Sequence, residues 1–181
     1  MTERHQIDGH LIFVGLPGAG KSTLGRTVAR LLGRPFLDFD VEIERRAGRS
    51  VARLFAECGE SAFRALEVAL TKELAAAPPM VLSPGGGWVT NPGVVALLRP
   101  PGRIIHLRLS PSAAVRRLSR SRVVRPLLEV EDPAATMQAL WDSRANLYAA
   151  ADLEIDVEDV AAQRLTETIL ALAHGQTPEI G

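Results

Sequence analysis

A glycine-rich segment near the N-terminus has the residue types and spacing needed to hold the phosphates of ATP. It reads Gly15-Leu16-Pro17-Gly18-Ala19-Gly20-Lys21-Ser22 and matches the pattern G-x-x-x-x-G-K-[ST] in full. Glycines allow backbone amides to turn toward phosphate oxygens, a lysine reaches the β and γ phosphates, and a serine hydroxyl contacts Mg²⁺. A simple turn before a helix would explain neither Lys21 nor Ser22. We therefore predict that Mg²⁺ is the cofactor, that Lys21 takes part in catalysis, and that ATP is bound by Gly18, Ala19, Gly20, Lys21, Ser22 and Thr23.

Two acids in the segment FLDFD, residues 36–40, are candidates for the metal and for the chemistry. P-loop enzymes commonly hold Mg²⁺ with a further carboxylate at the end of a neighbouring strand. Asp38 and Asp40 differ by two positions, so on one strand both would face the γ phosphate. We predict Ser22 and Asp38 as metal ligands and Asp40 as a catalytic group acting on the acceptor. The alternative is that these acids cap the next helix.

A glycine triplet and an arginine are candidates for the acceptor site. Gly85, Gly86 and Gly87 follow a buried strand, where bare backbone amides would form a floor for a ligand; the alternative is a loose turn. Arg64 lies three residues before Glu67, and this spacing is typical of a surface salt bridge.

A second arginine, Arg144, lies within a predicted amphipathic helix. Apolar residues recur around it at helical spacing, namely Met137, Leu140, Trp141, Leu147 and Tyr148. An unpaired charge in an apolar stripe is unfavourable, so Arg144 needs a buried partner. Either a structural carboxylate or the carboxylate of a substrate would satisfy it.

The segment 119–132 has no clean periodicity and carries many arginines before Pro126. A mobile lid with these residues would place an arginine over the phosphates as the γ phosphoryl group moves, and would exclude water. We predict Arg125 for that catalytic, ATP-binding role. A nucleic-acid patch is the alternative, but it fits poorly with a net charge of zero.

The elements that must position these residues alternate between strands and helices. Ser110 and Asp132, like Asn91, each precede a proline and are predicted to cap a helix. Alternation favours a parallel sheet covered on both faces, with ligands at the carboxyl ends of its strands. Five strands are predicted, at residues 10–15, 36–40, 80–83, 103–109 and 153–157.

The whole chain, 1–181, is predicted to form a single domain of the three-layer α/β/α class, with helical segments at about 41–76 forming part of the substrate site. The tail after residue 173 is expected to be frayed. Only nine residues precede the first predicted strand, so we expect no DNA-binding domain.

Composition narrows the function classes. Basic and acidic residues balance at 21 each, which argues against nucleic acid or an anionic membrane as partner. There is one cysteine, and the four histidines show no ligand spacing, so no zinc site is expected. No signal peptide or membrane span is evident, and a cytoplasmic protein is expected. Guanine-reading motifs are missing from the sequence, which favours a small-molecule kinase over a GTPase switch.

Taken together, the motifs closely resemble the shikimate kinase family. The resemblance runs from Leu11 to about Val157 and includes GLPGAGKST, FLDFD with EIERRAGRSVARLF, GESAFRALE, the glycine triplet, RPLL and RANLY. It implies a P-loop fold of the nucleoside-monophosphate-kinase type, with a five-stranded parallel sheet and a mobile lid. The implied reaction is ATP-dependent phosphorylation of the 3-hydroxyl of shikimate in aromatic amino-acid biosynthesis, and the implied state is a monomer.

The resemblance also implies roles for individual residues. Asp40 would orient or deprotonate the 3-hydroxyl, Arg125 would be the lid arginine, and Arg117 would flank the adenine. Shikimate would be held by Asp40, Arg64, Gly85, Gly86, Gly87 and Arg144, with the two arginines taking its carboxylate.

Two positions depart from the family pattern, and two other functions compete with the one implied. Trp88 stands where the family usually has a small residue, and Asn146 where it has proline. A gluconate kinase of the same fold would not need two arginines for a ring carboxylate. A non-catalytic sensor built on the same fold would not need Asp40 and Arg125.

Overall fold

The computed structural model describes residues 7–120 and 130–174. Five strands alternate with helices along this part of the chain. In chain order the elements are β1 (Leu11–Val14), α1 (Lys21–Leu32), β2 (Phe36–Asp38), α2 (Phe39–Ala47), α3 (Val51–Leu74), β3 (Val81–Ser83), a short 3₁₀ helix (Trp88–Thr90), α4 (Val94–Leu98), β4 (Arg103–Arg108), α5 (Pro111–Ser119), α6 (Pro133–Tyr148), β5 (Leu153–Asp156) and α7 (Ala162–Ala173).

The strands form one parallel sheet in the order β2-β3-β1-β4-β5. After each strand the chain crosses back through a helix, so all the strands run in the same direction. The carboxyl ends of β1, β2 and β3 therefore lie side by side at one edge of the sheet. Helix α1 covers the face that carries Phe13, while α6 covers the opposite face, which carries His106. The predicted five-stranded α/β/α architecture is confirmed.

Buried apolar residues explain the strand positions. All four residues of β1 are at most 2% exposed, as expected for a central strand flanked by helices on both faces. Ser110 caps α5 and Asp132 caps α6, each accepting a backbone N–H three residues later, as predicted.

Two local predictions were wrong. Strand β2 ends at Asp38, and Asp40 lies in the first turn of α2, because the Asp38 side chain accepts the backbone N–H groups of Asp40 and Val41 and starts the helix there. Asn91 does not cap α4, which begins at Val94 after Gly93 in a left-handed conformation (φ +78°). Its side chain bonds to Glu67 instead.

The predicted helical stretch at about 41–76 consists of most of α2 and the long helix α3. Gly59, at φ +80° and ψ 169°, interrupts the helical backbone inside α3 and kinks it. Most of the predicted lid, 119–132, and the tail from 175 lie outside the described residues. No helix among the described residues is long and apolar enough to cross a membrane.

Candidate active site

The glycine-rich loop joins β1 to α1 at the carboxyl edge of the sheet. Gly15, Gly18 and Gly20 have φ values of +145°, +86° and +88°, which other residues rarely adopt. Gly20 immediately precedes α1, so the loop opens onto the N-terminus of that helix. The Nζ of Lys21 donates to the carbonyl oxygens of Gly15 and Leu16, each at 3.0 Å, and so folds back over the loop. This arrangement is suited to a polyphosphate.

Three oxygen-bearing side chains meet beside this loop. Ser22 Oγ donates to Asp38 Oδ2 at 2.5 Å and lies 3.2 Å from Ser83 Oγ at the end of β3. Hydroxyl and carboxylate oxygens are the ligands that Mg²⁺ prefers, usually together with phosphate oxygens and water. The donor set therefore fits Mg²⁺ shared with a nucleotide. Within residues 7–120 and 130–174, no group of three or more His, Cys, Asp or Glu side chains could hold a metal ion without such help.

Asp40 is a largely buried acid that lies close to two other carboxylates. Burial raises its pKa to about 6, and the carboxylates of Asp38 and then Glu67 contribute in the same direction, while Lys21 opposes them. Although Asp40 lies on a helix and not on a strand, its carboxylate still points to the glycine triplet: a Cβ placed on Gly85 would lie 3.2 Å from its Oδ1. A carboxylate with a pKa near neutrality is suited to accepting a proton.

Gly85, Gly86 and Gly87 form a floor on which the other groups converge. A Cβ on Gly87 would lie 2.2 Å from Nη2 of Arg64, and one on Gly86 would lie 3.2 Å from the carbonyl oxygen of Gly15 and 3.3 Å from Nη1 of Arg144. The triplet is therefore not a loose turn. Its bare backbone brings the phosphate loop and the two arginines to one place.

Arg64 is held by two acids. Its Nη1 donates to Glu67 Oε2 at 2.7 Å and its Nη2 to Glu60 Oε1 at 2.8 Å, and the Arg64 side chain is 18% exposed. The predicted pairing with Glu67 is present, but it is not a surface salt bridge, because Glu67 is completely buried. These bonds fix the guanidinium beside Gly87 and leave two of its five N–H groups to bind a ligand.

Glu67 and Asn91 were not recognised as site residues from the sequence. Glu67 Oε2 also accepts from Asn91 Nδ2 at 2.9 Å, whereas the buried Oε1 has no hydrogen-bond partner and lies 3.3 Å from the Cβ position of Gly85. The spacing of Glu67 from Arg64 was the available signal, but it did not reveal burial. For Asn91, which was predicted to cap a helix, the sequence offered no signal of a contact with Glu67.

Arg144 lies beside Gly86, with Nη1 3.3 Å from the Cβ position of that glycine, and its charge acts on the hydroxyl of Tyr148, the last residue of α6. Among the described residues it forms no ion pair with a carboxylate. The apolar stripe is confirmed for Met137 and Tyr148, which are about 1% exposed, but Leu147 is 43% exposed. The expected structural carboxylate is therefore not found in this part of the chain, and the charge of Arg144 is turned to the glycine floor.

Trp88 is completely buried behind the triplet and does not narrow the pocket. Its Nε1 donates to Thr71 Oγ1 at 2.9 Å, and its ring packs edge-on against Phe39 at a centroid distance of 6.3 Å. The large side chain thus supports the floor from below. Asn146 is exposed on α6.

A cavity of about 590 Å³ adjoins the phosphate loop. It is lined by Gly20 and Thr23, by apolar residues of α1 and α7, and by Arg117. The guanidinium of Arg117 donates to the backbone carbonyls of Val157 and Glu158, after β5, and is therefore fixed at the cavity wall. A purine base would fit between this wall and the loop. Arg125, the predicted lid arginine, lies outside the described residues.

Comparison with known proteins gives a consistent picture. The family model described as Shikimate kinase matches residues 17–173. The shikimate kinase of Rhizobium meliloti is 41% identical over 162 residues, covering 90% of this chain and 84% of the relative. The structure of shikimate kinase from Acinetobacter baumannii in complex with shikimate superimposes with a TM-score of 0.84 at 37% identity, covering 91% of this chain and 92% of that one. A gluconokinase from Sinorhizobium meliloti, 15% identical with a TM-score of 0.64, shares the fold.

The raised pKa of Asp40 predicts that its charge destabilises the folded protein. A carboxyl group whose pKa rises on folding contributes stability below its unfolded value, near 3.8, and loses that contribution as the pH rises through about 6. We therefore expect Asp40→Asn to be more stable than the parent protein by about 1–3 kcal/mol at pH 8, and to show a much smaller difference at pH 4. Urea unfolding at the two pH values measures this.

Ser50→Ala is the matched control for that experiment. Because Ser50 caps α3 by accepting the backbone N–H of Arg53 and takes no part in the electrostatics of Asp40, its loss should destabilise the protein by about 1 kcal/mol at both pH values. An Asp40→Asn protein that is less stable than the parent at pH 8 would contradict the assigned electrostatics.

Proposed function

The chain belongs to the shikimate kinase family, and from that premise we propose which of its side chains carry out the reaction. It is an ATP-dependent kinase that phosphorylates the 3-hydroxyl of shikimate, giving shikimate 3-phosphate and ADP in aromatic amino-acid biosynthesis. One observation carries the assignment of roles: the glycine floor lies against the phosphate loop on one side and against Asp40, Arg64 and Arg144 on the others. Donor and acceptor groups are thereby adjacent.

The donor half consists of the loop and the N-terminus of α1. Backbone amides from Gly18 to Thr23 are proposed to bind the phosphates of ATP, with the Lys21 ammonium on the β and γ phosphates. Ser22 and Asp38 are proposed to hold Mg²⁺, whose chemical contribution is to neutralise charge on the phosphates. In the protein alone, the bonds of Lys21 to two loop carbonyls hold its side chain in the place where a phosphate would bind.

Asp40 is proposed to accept the proton of the 3-hydroxyl or to orient that hydroxyl for attack. A pKa of about 6 leaves the carboxylate ionised at neutral pH while keeping it basic enough to take a proton from the developing oxonium. Phosphoryl transfer needs mainly positioning and charge neutralisation, so this contribution is expected to be one of several.

Arg64 and Arg144 are proposed to bind the shikimate carboxylate, with backbone groups of Gly85 to Gly87 beneath the ring. Arg64 approaches from α3 and Arg144 from α6, so two guanidinium groups converge on one floor. Such an arrangement favours a carboxylate-bearing ring over a neutral sugar. Arg117 is proposed to flank the adenine and Arg125 to neutralise charge on the transferring phosphoryl group.

We propose that the enzyme acts as a monomer in the cytoplasm, with no nucleic-acid or membrane partner. Large exposed apolar side chains among the described residues are scattered over different elements, for example Leu31 on α1, Leu66 on α3 and Leu97 on α4. Scattered apolar residues do not make a typical oligomer interface. ATP as the phosphoryl donor supports the cytoplasmic location, and the whole chain is proposed to be one domain.

The reaction predicts ADP release from MgATP that depends on shikimate. Gluconate, the acceptor of a kinase with the same fold, serves as the matched negative substrate because its carboxylate is carried on an open chain and not on a ring. We expect turnover with shikimate and at least 100-fold lower kcat/KM with gluconate, measured in a coupled ADP assay. Equal turnover of the two acceptors would contradict the proposed acceptor site.

Asp40→Asn tests the role of Asp40. We expect kcat to fall by about 10²–10⁴-fold while the affinity for ATP changes little, because Asp40 does not belong to the phosphate loop. Steady-state kinetics and nucleotide titration measure the two quantities. A variant with near-normal kcat would remove Asp40 from the chemistry.

Gly87→Ala tests whether the position of Arg64 matters. The new Cβ would lie 2.2 Å from Nη2 of Arg64, so the flexible guanidinium must move and its contact with Glu67 must change, while the backbone remains in place. We expect KM for shikimate to rise about 10-fold or more, with KM for ATP unchanged, since a hydrogen bond to a charged group contributes about 1.5–3 kcal/mol.

Gly48→Ala is the control for this experiment. Gly48 has φ +63° with open space around its Cβ position, so alanine there strains the backbone without touching the site. It should lower the stability but leave both KM values unchanged. If Gly87→Ala behaves in the same way, Arg64 has no part in acceptor binding.

A further inference from the structure

The hydroxyl of Tyr148 connects two parts of the acceptor site. It donates to the carbonyl oxygen of Gly86 at 2.9 Å, and Nη1 of Arg144 lies 3.3 Å from the Cβ position of the same glycine, close enough for its charge to act on the phenol. Tyr148 is 1% exposed and ends α6, so its ring does not face the pocket. The buried hydroxyl of Tyr148 and the guanidinium of Arg144 therefore meet at Gly86.

The ring of Tyr148 is itself held from behind by a second buried side chain. The imidazole of His106, on β4, stacks on it with a centroid distance of 4.7 Å and an interplanar angle of 16°. The ring of Trp141, which lies two helical turns before Tyr148 on the same face of α6, is 6.1 Å from the imidazole between centroids. Nδ1 of His106 is 3.0 Å from Glu154 Oε2 on β5, and this contact fixes the orientation of the imidazole.

These contacts form a continuous series from the edge of the sheet to the floor of the site. Glu154 orients His106, the imidazole packs against Tyr148, and the phenol hydroxyl contacts Gly86 beside Arg144. Stacked aromatic rings contribute beyond their buried area, and here they restrict rotation of the phenol. No catalytic step described above uses Tyr148, His106 or Glu154.

We propose that Tyr148 is a positioning residue for the acceptor carboxylate and that His106 keeps its ring in place. An arginine side chain has many rotamers, and ordering it when the substrate binds reduces affinity. With the Tyr148 phenol fixed on Gly86 beside it, the guanidinium of Arg144 has fewer accessible positions before the substrate arrives. This inference rests on the proposed function, in which Arg144 binds the carboxylate.

Tyr148→Phe tests the inference because it removes only the hydroxyl and keeps the stacked ring. We expect KM and Kd for shikimate to rise about 10-fold, with KM for ATP within about twofold of the parent value. The methyl ester of shikimate, which lacks the negative charge that Arg144 binds, should bind the parent enzyme and Tyr148→Phe about equally well. Leu147→Ala, an exposed neighbour on the same helix, is the matched control and should leave all constants unchanged.

A double-mutant cycle tests whether Tyr148 acts through Arg144. In an Arg144→Leu background, Tyr148→Phe should raise KM for shikimate by less than about twofold, because the group that it positions is missing. His106 supplies a second test. His106→Leu should raise KM for shikimate more than His106→Phe does, since only the phenyl ring preserves the stacking. This pair decides the question even if Tyr148→Phe folds poorly.

The outcomes separate the inference from the proposed function. A parent enzyme that does not phosphorylate shikimate, or an Arg144→Leu variant with unchanged KM, would overturn the proposed function and this inference with it. Normal parent turnover with an unchanged KM in Tyr148→Phe would overturn the inference alone. Equal losses for shikimate and its methyl ester, or additive effects in the cycle, would reduce Tyr148 to a structural role and also overturn it.

Discussion

The site depends on how closely other groups approach the backbone of Gly85 to Gly87. Each glycine has a different neighbour where a side chain would begin: Asp40 and Glu67 at the first, the phosphate loop and Arg144 at the second, Arg64 at the third. Three peptide units thus bring together groups from the phosphate loop, α2, α3 and α6. Because the triplet directly follows β3, the parallel register of the sheet sets its position, and the positions of all these groups follow from it.

The close approach of these groups also places several negatively charged side chains near one another. Asp38, Asp40 and Glu67 lie near one another, and burial together with mutual repulsion raises the pKa of Asp40. Lys21, Arg64 and Asn91 offset part of this repulsion through hydrogen bonds and charge. This cluster of acids is expected to reduce the stability of the folded chain, since the fold disfavours the charged form of the Asp40 carboxylate.

Much of this arrangement could be predicted from the sequence, because local patterns encode it. The phosphate loop, the five strands and the caps at Ser110 and Asp132 each depend on neighbouring residues. Asp40 lies on a helix and not on the predicted strand, since the side-chain cap of Asp38 decides where β2 ends. Glu67, Asn91 and the pair His106 and Tyr148 act through contacts between residues 24 to 42 positions apart, and no local pattern reports such contacts.

Trp88 has a consequence for inhibitor design. Its bulk replaces a small residue of the family pattern, yet it lies wholly behind the floor and is anchored to Thr71. Trp88 therefore adds no exposed surface that a compound bound on the glycine floor could contact, and the substitution at this position is not useful for inhibitor selectivity. Selectivity is better sought at the wall of the nucleotide cavity, which α1 and α7 form with residues such as Leu31, Gln163 and Leu170.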